Sequence, residues 1–132
     1  MFSKKKAKEF ADDWLPAWSG NHPLELAEYY AHDCYYSDPA CPEGISGKDA
    51  LIKYFVQLLA KNPNWIWEQI EAIPMEKGFL NKWKAIIPVG TTHIQCIGVC
   101  IVQFNNRQQI VRNEVYFDRT ELVHEFSKSK KL

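Results

Sequence analysis

The hydrophobic positions change their period once along the chain, and this change divides the sequence into two parts. In residues 5–61, apolar side chains recur at positions i, i+3, i+4 and i+7, which predicts amphipathic helices. In residues 65–119, apolar and polar positions alternate, which predicts strands. Helices followed by an antiparallel meander indicate an α+β domain with the helices packed on one face of the sheet.

Two helices are predicted before residue 32. The first helix ends at Ser19-Gly20-Asn21. Pro16 predicts a kink near Trp14, because proline removes one backbone donor. Pro23 then occupies a favoured first-turn position of a second helix. We expect this second helix to include Tyr30 and Ala31 on its inner face.

A short strand and a third helix are predicted next. The strand covers Tyr35 to Asp38, and residues 40–47 are too rich in Gly and Pro to be helical. Ser46, with Asp49 three residues later, predicts a capping box at the start of the third helix. This helix is expected to run to about residue 61.

The alternating part of the chain predicts four strands, at about 65–73, 79–89, 93–104 and 109–119. The strand at 93–104 is apolar on both faces, although a sheet covered by one helical layer needs only one apolar face. We therefore expect a homodimer through the open sheet face. Trp65 and Trp67 share a face with polar neighbours, which suggests a partly covered surface suited to such a contact.

Composition narrows the function classes. The 132 residues are expected to form one domain, residues 1–132, that is large enough to bury a core. The formal net charge is zero, so no basic surface for nucleic acid is indicated. No run approaches the ~20 apolar residues that a membrane-spanning helix needs. We therefore expect a cytoplasmic protein with no nucleic-acid partner and no membrane partner.

The cysteines and histidines show no spacing typical of a metal site. The cysteines are Cys34, Cys41, Cys96 and Cys100, without a paired C-x-x-C arrangement. His32 and His93 have no second histidine at ligand spacing. We expect reduced cysteines that pack as small apolar side chains, no metal and no cofactor.

Asp38 is the most informative residue for chemistry, because it ends an aromatic strand directly before Pro39. A carboxylate among aromatic rings loses hydration, which makes it a stronger base and suits it to general base catalysis. The alternative is structural, since Asp before Pro commonly starts a turn by accepting hydrogen bonds from nearby backbone. The local sequence leaves both interpretations open.

Five segments in a fixed order carry a resemblance to a known superfamily. They are Trp14-x-x-x-Trp18-Ser19-Gly20-Asn21, Tyr29-Tyr30-Ala31-His32-Asp33, Ser37-Asp38-Pro39, Gly47-x-x-Ala50-Leu51-x-x-Tyr54-Phe55 and Arg112-Asn113-Glu114-Val115-Tyr116-Phe117-Asp118. The ordered set resembles the nuclear transport factor 2-like superfamily, in its SnoaL-like and ketosteroid-isomerase-like branch. The resemblance implies a cone-shaped, curved sheet, mixed or antiparallel, that wraps around three N-terminal helices and encloses an apolar cavity.

The resemblance also implies site residues. Asp38 matches the general base of ketosteroid isomerases. Trp14 stands where those enzymes have a tyrosine donor, and Cys100 stands where they have a protonated aspartic acid. Val115 occupies the position of the cavity aspartate of SnoaL-like cyclases, and Asn113 is the nearest inward polar group. The predicted catalytic residues are therefore Asp38, Trp14 and Asn113, and the predicted ligand-binding residues are Trp18, Tyr30, Phe55, Trp83, Cys100, Val115 and Phe117.

By this resemblance, we expect a cofactor-independent isomerase or cyclase that acts on a small apolar carbonyl compound. Asp38 would abstract a proton next to the carbonyl, while Trp14 and Asn113 orient its oxygen. The departures at Cys100 and Val115 favour an alternative, a non-catalytic protein of the same fold that binds a small hydrophobic ligand or serves as a dimeric scaffold. An adaptor that binds proteins through the open sheet is a third interpretation, and it predicts a filled cavity.

Overall fold

The computed structural model describes residues 2–130, which form four α-helices and one six-stranded sheet. The helices are α1 (Lys4–Trp14), α2 (Pro23–Ala27), α3 (Lys48–Lys61) and α4 (Thr120–Lys130), and a single 3-10 turn (Leu15–Trp18) follows α1. The strands are β1 (Tyr30–Asp38), β2 (Cys41–Ser46), β3 (Ile66–Met75), β4 (Gly78–Val89), β5 (Thr92–Phe104) and β6 (Ile110–Phe117).

The sheet is mixed, curved and unclosed, and the predicted α+β fold class is confirmed. Its strand order is β2-β1-β6-β5-β4-β3. The predicted antiparallel meander is present as β3 to β6. β1 pairs in parallel with β6, which joins the start of the chain to the last strand of the sheet. The 3-10 turn that contains Pro16 lies where the sequence predicted a kink.

The second helix is shorter than the sequence predicted, and Tyr30 and Ala31 lie in a strand. α2 ends at Ala27, and β1 begins at Tyr30. The carbonyl of Tyr29 accepts a hydrogen bond of 2.9 Å from the N–H of Ile110, and Tyr30 is in register with Ile110. Pairing with a strand that is distant in sequence has therefore overridden the local helical pattern.

Residues 41–46 form β2, a strand that the sequence did not predict. Asp38 is in register with Cys41, so β1 and β2 form a tight hairpin at one edge of the sheet. An edge strand tolerates Pro42, because the ladder bond that proline cannot donate is not needed on the open side. The Pro and Gly residues that concealed this strand are therefore compatible with its position.

The predicted capping box at the start of α3 is wrong. Gly47 is the N-cap, and no side chain bonds to the first turn there, so Ser46 and Asp49 do not cap the helix. Gly47 has a φ of +92°, a conformation that glycine adopts without steric cost. Its N–H donates a hydrogen bond of 2.8 Å to the carbonyl of Cys34, which holds the start of α3 against β1.

The chain continues after β6 into α4, a helix that was not predicted. The last strand ends at Phe117 and is followed by a turn at Asp118. The Oδ1 of Asp118 accepts hydrogen bonds from the N–H of Thr120, over 2.9 Å, and from the Thr120 hydroxyl, over 2.6 Å. The carbonyl of Arg119 accepts the first helical hydrogen bond, from the N–H of Val123, so Arg119 is the N-cap and Asp118 forms an Asx turn directly before it. Leu122 is buried, and it anchors α4 to the body of the fold.

The helices cover one face of the sheet, and an aromatic cluster fills one end of this interior. Phe10 of α1 packs edge-on against Phe104 of β5, with ring centres 4.7 Å apart. Phe2 and Phe79 pack against the same ring. Each such ring contributes about 1.5–3 kcal/mol when it is removed from water.

The opposite face of the sheet carries exposed apolar side chains. Ile97 of β5 is 58% exposed and Tyr116 of β6 is 53% exposed, whereas their neighbours Cys96 and Cys100 are buried. The predicted alternation of β5 between two apolar faces is therefore present. Within residues 2–130, no helix has both the length and the apolarity that crossing a bilayer requires.

Candidate functional site

A cavity of about 140 Å³ lies at the end of the interior away from the phenylalanine cluster. It is similar in size to the ~150 Å³ apolar cavity that holds one benzene molecule. Its walls come from the α1 end, the β1–β2 turn, α3, β3 to β6 and α4. The lining residues are Trp14, Leu15, Trp18, Tyr36, Asp38, Pro39, Ala40, Tyr54, Leu58, Leu59, Asn62, Trp65, Trp67, Trp83, Cys100, Val115, Phe117, Arg119 and Leu122.

Eight of the nineteen lining residues are aromatic, and all five tryptophans of the chain are among them. Trp14 and Trp18 meet at 78°, with ring centres 6.1 Å apart. Trp67 and Trp83 meet at 72° and 5.0 Å, and Trp83 meets Phe117 at 69° and 5.5 Å. Edge-to-face pairs of this kind are the preferred aromatic arrangement. Trp67 also packs against Trp18 at 51° and against Trp65 at 40°. The five indole rings are therefore in continuous contact, and we call this group the tryptophan box.

Gly98 of β5 makes space for this wall. A Cβ atom at this position would overlap the ring of Trp83 and approach Phe117. Glycine therefore lets the Trp83 ring lie directly on the β5 backbone, which is a usual reason for glycine inside a strand.

The carboxylate of Asp38 is buried in the cavity wall, and both of its oxygens are fully engaged. Oδ1 accepts hydrogen bonds from the N–H groups of Ala40 and Cys41, each over 2.9 Å. Oδ2 accepts from the hydroxyls of Tyr36, over 2.8 Å, and Tyr54, over 2.6 Å. All four partners donate, which is the pattern expected around an ionised carboxylate with about four lone-pair sites.

Asp38 thus makes the turn contacts that the structural interpretation predicted. It also accepts hydrogen bonds from the hydroxyls of two tyrosines. Burial raises the pKa of Tyr36 well above its usual value, and the nearby charge of Asp38 adds to the rise. Burial and the hydrogen bond to Asp38 also raise the pKa of Tyr54. Both hydroxyls therefore keep their protons at neutral pH and remain donors.

A second polar cluster lies in the core beside the cavity. The Nδ2 of Asn113 donates a hydrogen bond of 2.8 Å to the hydroxyl of Tyr30, and both side chains are completely buried. Among the described residues, neither Asn113 Oδ1 nor Trp14 Nε1 has a partner at hydrogen-bond geometry. Burial raises the pKa of Tyr30 well above its usual value, while the Asn113 amide and the neighbouring Trp14 N–H oppose the rise.

The structure brings most of the predicted site residues together around the cavity. Those in its lining are Trp14, Trp18, Asp38, Trp83, Cys100, Val115 and Phe117. Tyr30, Phe55 and Asn113 are outside the lining. Phe55 is completely buried and packs edge-on against Trp18 and Tyr30, so it supports the wall from behind. A direct role of these three residues toward a ligand stays a prediction.

Sequence reasoning missed several residues of the lining. Trp65 and Trp67 were assigned to a partly covered surface, but they line the cavity, and Trp67 packs on Trp83. Tyr54 lies directly before Phe55 on α3. It was not predicted to face inward, because its hydroxyl group suggested exposure to solvent. Arg119 also lines the cavity and is exposed, so it lies at the mouth.

The cavity wall holds one thiol, and it is not positioned for nucleophilic chemistry. Burial raises the pKa of Cys100 to about 12, so the thiol keeps its proton at neutral pH. All four cysteines are free. Across the part of the chain that the structure describes, no three His, Cys, Asp or Glu side chains form a group able to hold a metal ion.

Comparison with solved structures gives three matches over nearly the whole chain. A hypothetical protein from Catenulispora acidiphila, described as having a ketosteroid isomerase-like fold and as in complex with trimethylamine, is 16% identical, with a TM-score of 0.77 over 90% of this chain and 92% of that one. A SnoaL-like protein of unknown function from Burkholderia thailandensis is 16% identical, with a TM-score of 0.74 over 89% and 99%. A protein of the SnoaL-like family from Agrobacterium tumefaciens is 17% identical, with a TM-score of 0.69 over 85% and 97%.

This chain has the ketosteroid isomerase-like, SnoaL-like fold. The resemblance drawn from the sequence is therefore confirmed at the level of the fold. No protein-family model matches the sequence, and no curated protein matches it. The SnoaL-like fold supports many unrelated activities, so function has to be argued from the cavity itself.

Proposed function

We propose that this SnoaL-like protein binds a small, compact alkylammonium ion in its aromatic cavity. Five tryptophans and the Asp38 carboxylate share one space of about 140 Å³, and this combination is the main support for the proposal. A cation over the face of an aromatic ring is attracted by the ring quadrupole, most strongly for tryptophan, by about 2 kcal/mol when the cation is desolvated. Aromatic cages with a nearby carboxylate suit such ions.

The hydrogen bonds of Asp38 favour a fully alkylated ammonium. Each carboxylate oxygen already accepts two hydrogen bonds, so a ligand N–H would find no free lone pair. A quaternary ammonium has no N–H and requires only the negative charge. The trimethylamine in the Catenulispora protein supports a compact, branched amine as a ligand that this fold is able to hold.

The size of the cavity also supports a compact ligand rather than a steroid. Pockets for drug-sized molecules typically measure about 300–1,000 Å³. The cavity of about 140 Å³ is below this range and accommodates a group the size of trimethylammonium.

Calorimetry with choline and its carbon isostere tests this proposal. In the isostere, a tert-butyl group replaces the trimethylammonium group, so the shape is kept and the charge is lost. We expect choline to bind at least about tenfold more tightly, which corresponds to about 1.4 kcal/mol. Trp83→Leu should weaken choline binding, whereas Tyr116→Leu, on the opposite sheet face, should leave it unchanged. Equal affinity for choline and the isostere would show that the cavity does not select a cation.

A cofactor-independent isomerase or cyclase with Asp38 as general base is the second candidate. Its support is the position of Asp38 in the wall of a mainly apolar cavity. A base needs a free lone pair within reach of the substrate proton, and the four hydrogen bonds of Asp38 argue against this role. Incubation of a small ketone in D₂O, followed by NMR, tests it. Deuterium exchange next to the carbonyl that is lost in Asp38→Asn would favour the enzyme.

We also propose that two copies associate through the exposed face of the sheet. The face carries Ile66, Ile73, Ile97 and Tyr116, all large apolar side chains that are at least 44% exposed. A patch of this kind is typical of an interface between copies. Sedimentation velocity at micromolar concentration should detect a dimer that Ile97→Glu converts to a monomer. A monomeric wild-type protein would contradict the proposal.

We also propose a cytoplasmic location, which the free thiols of the cysteines support. All four thiols are free, and one of them, Cys41, is not buried. Free thiols are typical of proteins in reducing compartments.

A further inference from the structure

Arg119 is a cation at the mouth of the cavity, and it has no ion-pair partner among the described residues. It follows β6 and precedes α4, and it is exposed. The neighbouring Asp118 carboxylate is directed to the N–H and hydroxyl of Thr120. Among residues 2–130, no carboxylate lies within 4.0 Å of the Arg119 guanidinium, whereas Arg112 on the other sheet face pairs with Glu114.

The cavity therefore carries a negative charge in its wall and a positive charge at its mouth. Asp38 is the one acidic side chain and Arg119 the one basic side chain among the described lining residues. The positive charge of Arg119 acts on the pKa of Tyr54 in the lowering direction, so its field reaches the hydroxyl that bonds to Asp38. A simple cation would be attracted by the interior and repelled at the mouth.

We propose that the ligand is a zwitterion of the betaine class, in which a quaternary ammonium and a carboxylate are joined by a short link. This inference rests on the proposed function, because it places the ammonium group in the tryptophan box. The ligand carboxylate then meets the guanidinium of Arg119, whose planar fork suits bidentate recognition of carboxylates. At the mouth, Arg119 would repel a simple cation, whereas it would attract the carboxylate of a zwitterion.

Binding of two probes to matched arginine variants tests the inference. Glycine betaine carries both charges, and tetramethylammonium carries only the positive one. We expect the wild-type protein to bind glycine betaine about fivefold more tightly, the size typical of an exposed ion pair. Arg119→Gln should abolish this preference by weakening glycine betaine binding without weakening tetramethylammonium binding. Arg107→Gln, which changes an exposed arginine in the β5–β6 turn, should keep the preference. The preference should also shrink as salt is raised.

The outcomes separate the two proposals. If tetramethylammonium binds, but glycine betaine binds no more tightly, the zwitterion inference is wrong and the proposed function stands. An unchanged ratio of affinities in Arg119→Gln has the same meaning. If neither probe binds, the proposed function fails, and the inference fails with it.

Discussion

Two buried polar clusters, one around Asp38 and one around Asn113, differ in how completely their atoms are paired. In the Asp38 cluster, both carboxylate oxygens accept two hydrogen bonds each. In the cluster of Tyr30, Asn113 and Trp14, an amide oxygen and an indole N–H have no partner within the described residues. The first cluster lies in the cavity wall, whereas the hydrogen-bonded pair of the second lies outside it. The fully paired cluster is built to hold a fixed charge and a fixed shape.

The three predicted catalytic residues do not all lie in the cavity wall. Asp38 and Trp14 share the cavity, but Asn113 bonds to Tyr30 instead of facing a ligand. The four hydrogen bonds of Asp38 and the position of Asn113 outside the cavity weigh against the predicted proton transfer, and the catalytic roles of these residues stay a prediction. The same arrangement suits recognition, because a paired carboxylate still attracts a cation.

The largest effect is expected from removal of the Asp38 carboxylate. Asp38→Ala leaves the Tyr36 and Tyr54 hydroxyls and two backbone N–H groups without their acceptor. We expect a loss of about 3 kcal/mol or more in the free energy of unfolding, measured by urea denaturation. Asp33→Ala is the matched control, because Asp33 is exposed on the same strand. A loss below about 1 kcal/mol would show that the pairing contributes little.

A smaller effect is expected in the incompletely paired cluster. Tyr30→Phe removes the acceptor of the Asn113 amide and should cost about 1–2 kcal/mol. Adding Asn113→Leu should recover part of this loss, because it removes a buried amide whose oxygen is already unpaired. A double-mutant cycle measures the coupling. Strictly additive losses would contradict the view that the two side chains act as a pair.

The smallest effect is a pH dependence at alkaline pH. The pKa of Tyr54 in the folded protein is raised above its ordinary value of 10. Above that pH the unfolded chain releases the proton while the folded protein keeps it, so the stability contribution is lost as pH rises. Tyr54→Phe should therefore flatten the decline in unfolding free energy above pH 10. Urea denaturation at several alkaline pH values would detect this, and an equally steep decline in the variant would exclude Tyr54 as a cause.

The sequence predicted the elements that local patterns control. The helical stripe of α3 and the alternation of β4 and β5 follow from residues close together in the chain. The parallel pairing of β1 with β6 joins Tyr30 to Ile110 and depends on contacts that no local window contains. β2 was missed because Pro42 and Gly44 suggest a loop, although an edge position accepts them.

The candidate site was predictable where large apolar residues follow these patterns. Trp14, Trp18 and Trp83 were expected to face inward and do so. Tyr54 and Arg119 were missed because polar tips are normally assigned to solvent, and only the three-dimensional structure shows that they reach the cavity. The hydrogen bond from Tyr54 to Asp38 was equally hidden, since it joins α3 to β1, whereas Tyr36 lies on the same strand as Asp38.

The parallel contact between β1 and β6 has a consequence for synthesis on the ribosome. Tyr36 of β1 aligns with Asn113, so β1 can pair with β2 early, but its second neighbour, β6, exists only after almost all of the remaining sheet has been translated. Contacts so distant along the chain slow folding, because a long loop has to close first. The nascent protein should therefore remain sensitive to proteases until the ribosome has released the segment that completes the sheet.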